Sequence, residues 1–255
     1  MKKYLIIALI SLAGTTIARA QDYKINKTAK MMINLSSATV EGYDGDQIIF
    51  RSQKSEAEMD PRAKGLRAIN GSGYTDNTGL GINVVEKGTT VEVNQVASSD
   101  LSVKILVPKS VILSFVCHRM PNAGKVIFKN MENEIEISTD YNGVELENIT
   151  GPVTVRALYG SVEARFSDHI KGPVSIASIY SVVDVAIPVA TKANVKLSSS
   201  HGEIMASSEL KIELEKKEGD DMIRYGGIVS GKLNGGGPDF KLTSEYGKIY
   251  LRKTK

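Results

Sequence analysis

The sequence predicts an all-β protein, read as a β-solenoid of short stacked coils. Three observations predict it. Apolar and polar residues alternate along most of the chain, and no helical apolar period persists for a dozen residues. One short unit repeats through residues 134–255. Gly-Pro, Asn-Gly and Tyr-Gly turn signals punctuate it at near-constant spacing. A β-sandwich is the alternative, because strands about every 10 residues suit it too.

Residues 1–20 stand apart. Lys2 and Lys3 precede the apolar run Tyr4 to Leu12, and Ala18-Arg19-Ala20 is a small-x-small cleavage site. This is the pattern of a secretory signal peptide, and its apolar run is too short to span a membrane. Residues 21–255 are then expected as a single exported domain. Nothing in them approaches the roughly 18 consecutive apolar residues of a further span. Without Lys2, Lys3 and Arg19 the chain has 29 basic and 29 acidic side chains. That balance gives no field that would attract nucleic acid. Cys117 is the sole cysteine, which excludes an internal disulfide. Its setting, FVCHRM, reads as a buried small hydrophobe, with a reactive thiol or an intermolecular disulfide as the other options. Trp is absent, so a sugar site built on Trp platforms is disfavoured, although Tyr could substitute.

After a polar lead-in, Met31 to Arg51 reads as strands around the turn Gly42-Tyr43-Asp44-Gly45-Asp46. That turn has calcium-loop acids but lacks the later ligands of an EF-hand. Residues 52–81 are polar, rich in Gly and Asn, and interrupted by Pro61. They read as a long surface excursion, mobile or wrapped on the core, with one helical turn around Glu56 to Met59. Alternation returns at Ile82 and Val84, at Val91 to Val96, at Leu101 to Val107, and at Val111 to Cys117. Val126 and Phe128 follow the turn at Pro121 to Gly124.

The repeat is clearest when numbered from one column: Tyr141, Tyr159, Tyr180, His201 and Tyr246. Six before stand Ile135, Val153, Val174, Val195 and Phe240. Four before stand Ile137, Val155, Ile176, Leu197 and Leu242. Two before is always small: Thr139, Ala157, Ser178, Ser199 and Ser244. One after is Asn142, Gly160, Ser181, Gly202 or Gly247. Three after is β-branched, from Val144 to Ile249, and five after is apolar, from Leu146 to Leu251. The long step between His201 and Tyr246 suggests another copy at Tyr225, with Ile212 and Leu214 leading and Ile228 trailing.

A unit this short cannot bury its apolar face alone, so copies stack with like residues above like. Small residues and Gly around the Tyr column suit a tight corner, with positive φ as one reason for Gly. Gly151-Pro152 and Gly172-Pro173 mark another corner. The column Tyr141, Tyr159, Tyr180, His201, Tyr225 and Tyr246 has two readings: rings stacked at a corner for packing, or a ladder that binds an extended glycan or peptide. His201 is a Tyr replacement rather than a base. His118 and His169 have no metal-ligand spacing around them, so no metal or other cofactor is expected. Glu145, Glu163 and Asp184 form an outward acidic column, about 5 Å between rungs. Paired carboxylates also occur in glycosidases. No Lys or Arg lies beside this column in register, and a solvated face is the plainer reading.

The chain resembles the DUF4097 adhesin-like family of secreted bacterial proteins. TVEGYDGDQIIF, LSVKILVPKS, the serial strand–small–Tyr/Gly–strand units and the closing GGGPDFKLTSEYGKIYLRK carry the resemblance across most of residues 30–255. It implies a right-handed, single-stranded β-helix-like fold in the cell envelope and offers no catalytic residues to carry over. The expected function is therefore a non-enzymatic exported binding scaffold, periplasmic or on the cell surface, with surface glycan or an envelope protein as partner. The alternatives are a polysaccharide lyase or hydrolase on a β-helix, and an accessory protein of envelope-stress signalling.

Overall fold

The structure, a computed structural model, describes residues 22–53, 61–97, 101–118, 124–215 and 227–254. The strands in chain order are β1 (Asp22–Asn26), β2 (Lys30–Asn34), β3 (Ala38–Tyr43), β4 (Gln47–Ser52), β5 (Ile82–Lys87), β6 (Thr90–Gln95) and β7 (Val103–Pro108). Then come β8 (Ile112–Cys117), β9 (Val126–Lys129), β10 (Ile135–Thr139), β11 (Val144–Ile149), β12 (Val153–Ala157), β13 (Val162–Phe166), β14 (Val174–Ser178) and β15 (Val183–Ile187). The last are β16 (Ala193–Ser199), β17 (Ile204–Ala206), β18 (Ile212–Leu214), β19 (Gly227–Leu233), β20 (Asp239–Ser244) and β21 (Ile249–Lys253).

Most of these strands bury alternate residues, as a half-covered pleated surface requires. The inward columns are Val, Ile and Leu, whose shape suits a strand and whose burial stabilises by about 1.5–3 kcal/mol each. From β6 to β18 consecutive strands alternate between two sheets, one of 10 and one of 11 strands, and neither closes into a barrel. Coil neighbours pair in parallel with like residues in register: Leu113, Ile135, Val153, Val174, Phe240 and Val195 form one inward ladder. Val126, Val144, Val162, Val183, Ile249 and Ile204 form the facing one. This is the solenoid arrangement, and the core is the continuous space between the sheets.

The order of coils is not the order of the chain. The last coil, β20–β21, lies between β14–β15 and β16–β17 in both sheets. At the other end, β2–β3 lies between β6–β7 and β8–β9. The first and last coils are therefore each held between two others. The further copy expected at Tyr225 does not form. Ile212 and Leu214 pair antiparallel with β19, and Ile228 pairs antiparallel with Ser198 of β16, in the sheet opposite to the one a coil would require. Tyr225 itself lies outside the described residues.

Antiparallel strands close the ends of the sheets. β1 and β4 extend the first sheet beyond β7, and β5 extends the second beyond β6. At the other end only the second sheet continues, through β19 and β18. Of the excursion, Leu66 and Ile69 are exposed, while residues 76–81 lie against the core with Asp76 and Thr78 buried. Asp76 organises them, its carboxylate accepting from the N–H groups of Thr78, Gly79 and Gly81, each at 2.9 Å. Asn70 reaches the carbonyl of Gln95. The helical turn expected at Glu56 to Met59 falls outside the described residues; the one seen is a 3-10 turn at Pro61–Ala63.

Candidate functional site

Each coil turns from the second sheet to the first at the Tyr column. The column-zero N–H donates to a carbonyl of the rung beneath: Tyr159 to Asp140, Tyr180 to Leu158, Tyr246 to Ile179 and His201 to Glu245. These bonds of 2.7–2.9 Å fix every ring at one height per rung. The result is a continuous stack in the order Tyr141, Tyr159, Tyr180, Tyr246, His201. Centroids are 4.9, 4.9, 5.1 and 4.8 Å apart, and neighbouring planes differ by 8–14°. The insertion of the last coil places Tyr246 between Tyr180 and His201. Tyr159, Tyr180 and Tyr246 are about half exposed. Among the described residues none of the four Tyr hydroxyls is hydrogen-bonded to protein.

The small residues beside the ladder do specific work. The hydroxyls of Ser178, Ser199 and Ser244 accept from the N–H three residues on, at Ser181, Gly202 and Gly247. Each also donates to the corner carbonyl of a neighbouring rung, at Gly160, Gly247 and Ser181. The glycines answer to close approach and not to positive φ. A Cβ at Gly160 would sit 1.8 Å from the Asn142 carbonyl oxygen; one at Gly202 would sit 1.9 Å from that of Gly247. Asn142 is fully buried, and its amide donates to the carbonyls of Ser36 and Gly124. It ties the ladder's first corner to two differently built coils. The sequence signal for it was its place as the one Asn in a column of Gly and Ser.

The acidic column is in register, Glu145 beside Glu163 and Glu163 beside Asp184. It is not free of bases, contrary to expectation. Arg252 grips Asp184 at 2.8 and 3.0 Å, and Lys125 lies 3.5 Å from Glu145. Two residues along the strands, Lys129 pairs with Glu147 at 2.6 Å and holds its carboxyl below the usual range. The bases come from neighbouring rungs two positions along the strand, or from a preceding corner, so the same-column comparison missed them. These acids thus bind coil to coil.

A second polar feature lies at the corner after the first sheet. Tyr43, Lys109, Asn130, Glu132, His169 and Lys171 line a groove of about 560 Å³. Glu132 sits 2.8 Å from both Lys109 and Lys171, and their ammonium groups hold its carboxyl at about 2 against the usual 4.5. Both lysines are thereby occupied. Elsewhere, Cys117 is buried in the small column beside Thr139. His118 approaches Asp140 at 2.8 Å.

No family model and no curated protein matches the chain. Two solved structures are similar to it. One is titled a "putative cell adhesion protein" from Clostridium sporogenes ATCC 15579, 13% identical, covering 92% of this chain and 100% of that one, with a TM-score of 0.44. Another is a "putative adhesin" from Bacteroides fragilis NCTC 9343, 12% identical, covering 92% and 96%, with a TM-score of 0.32. The DUF4097 resemblance rests on its sequence motifs alone.

Proposed function

We propose that this is a non-enzymatic, exported protein of the cell envelope, an adhesin-type scaffold that binds through the Tyr corner. The observation that carries the reading is the ladder itself. Rings from five coils project at one corner, three of them half exposed, with no hydroxyl bonded to protein among the described residues. Packing alone gives each ring pair about 0.5–1.5 kcal/mol, but it needs no row of free hydroxyls. The N-terminal segment supplies the support for export. The acidic column supports binding of coil to coil rather than catalysis, since Asp184, Glu145 and the nearby Glu147 pair with Lys and Arg.

Fractionation with surface-protease accessibility tests the location; the expected result is recovery in the envelope or medium, and retention in the cytoplasm contradicts it. Binding of the purified chain to whole cells and matrix proteins tests the site. The chain Tyr159→Ala/Tyr180→Ala/Tyr246→Ala should lose retention while keeping its far-UV spectrum. Equal retention by that folded variant contradicts the assignment.

A further inference from the structure

We infer that the ladder reads a neutral, extended, hydroxyl-rich polymer, a linear glycan laid along the stack, through ring edges and phenol hydroxyls and not through ring faces. The inference rests on the proposed function and specifies its ligand. Tyr159, Tyr180 and Tyr246 each have an aromatic neighbour on both faces, at 4.8–5.1 Å and near-parallel. Those faces are closed to a sugar ring stacked flat and to a cation, which needs the ring face. What reaches solvent is the edge of each ring and its hydroxyl. A ring edge is the positive part of the aromatic quadrupole, so it favours oxygen atoms. Each phenol hydroxyl both donates and accepts, and a sugar hydroxyl does the same.

Spacing and charge narrow the ligand further. The rungs recur at 4.8–5.1 Å. An extended peptide places side chains on one face about every 6.7 Å, so it falls out of step with this ladder after a rung or two. A sugar residue of a linear glycan is comparable in length to one rung. The residues preceding the rings run, in stack order, Asp140, Leu158, Ile179, Glu245 and Ser200, so an acid stands on either side of the apolar pair Leu158 and Ile179. Acids on either side of an apolar pair disfavour an anionic polymer and suit the alternating hydroxyl and C–H surface of a neutral one.

The test uses the full chain and hexamers of β-linked glucose and N-acetylglucosamine as probes, against a polyanionic oligosaccharide and an alternating apolar peptide. Isothermal titration calorimetry reads the binding in the native chain and the variant alike, and near-UV circular dichroism, with no Trp in the chain, follows its Tyr residues. The decisive variant is Tyr159→Phe/Tyr180→Phe/Tyr246→Phe, which keeps the stack and removes three hydroxyls. The expected result is binding of a neutral hexamer that weakens about threefold to tenfold per hydroxyl lost, with Tyr141 still ring-stacked and the fold intact. Unchanged hexamer binding by the Phe variant overturns the inference. So does binding of the peptide or the polyanion in preference to both neutral hexamers. Either result leaves the proposed function standing; that reading fails separately, if the folded triple Ala variant binds cells and matrix as the native chain does.

Discussion

The middle of the stack and its two ends share the same columns but are built by different routes. From β10 to β15 each coil lies on the one before it in sequence. At the ends, β2–β3 and β20–β21 are inserted between coils that the chain lays down elsewhere. The middle needs only local succession. The ends need distant segments to leave a gap of one rung and to have it filled. The comparison teaches that an inward column of Val, Ile and Leu specifies stacking and register but not the order of stacking. Phe240 fits between Val174 and Val195 as Val153 fits between Ile135 and Val174. The insertion holds the β2–β3 and β20–β21 coils between others, while β1 stays at the edge of the first sheet.

The largest expected effect comes from removing the inserted coil. Truncation after Gly237 deletes Phe240, Leu242, Ile249 and Leu251, all essentially fully buried. That burial stabilises by on the order of 10 kcal/mol, comparable to the whole stability of a domain. Hydrogen exchange should show residues 188–237 unprotected and the coils from β8 to β15 retained. Loss confined to the deleted coil would mean that β16–β17 stacks directly on β14–β15.

Corner substitutions sharpen the comparison at single rungs. Gly160→Ala should cost about 3 kcal/mol, because its Cβ would meet backbone 1.8 Å away. Gly143→Ala, with nothing nearer than 3.7 Å, should cost under about 0.5 kcal/mol by denaturant titration. Asn142→Ala leaves two carbonyls without their donor and should cost about 2 kcal/mol. Ser244→Ala should cost about 1 kcal/mol.

The smallest effect is electrostatic. Glu132 is held at about 2 by Lys109 and Lys171, against a usual 4.5. A depressed folded-state pKa means its contribution is complete above about 4.5 and is lost as pH falls toward about 2. Its exposure and salt screening keep that contribution small. Glu132→Gln should flatten that part of the acid stability profile, most visibly at low ionic strength. An unchanged slope between those pH values would remove Glu132 from the account.

Much of this was legible in the sequence. Seven columns chosen by alternation alone fall in register in the structure, because a period-two pattern with one buried face tolerates no slip. Every described rung of the ladder was named, and Tyr225, also named, lies outside the described residues. What the sequence concealed has physical reasons. Earlier coils obey the same inward pattern, with Met31 and Ile33 beside Leu113 and Phe115. Their corners differ in length, however. Val144 lies nine positions after Ile135, but Ala38 lies seven after Met31 and Val126 lies 13 after Leu113. Without a matching corner there is no Tyr column to align them by. The order of coils was hidden because the buried columns are interchangeable. The ion pairs were hidden because bases from one rung meet acids of another.

The ladder's continuity from Tyr180 to His201 depends on the inserted coil, so the most direct measurement tests that insertion. Ala177 pairs with Thr243, and Thr243 pairs with Ser198, on the outer face of the second sheet. Neighbouring rungs are about 4.8 Å apart and alternate rungs about 9.6 Å. Double cysteine variants 177/243, 243/198 and 177/198 would be treated with a short thiol-to-thiol reagent such as dibromobimane. The account predicts efficient crosslinking of Ala177→Cys with Thr243→Cys and of Thr243→Cys with Ser198→Cys, and none of Ala177→Cys with Ser198→Cys. Crosslinking of 177 to 198, with 243 reacting with neither, would contradict it.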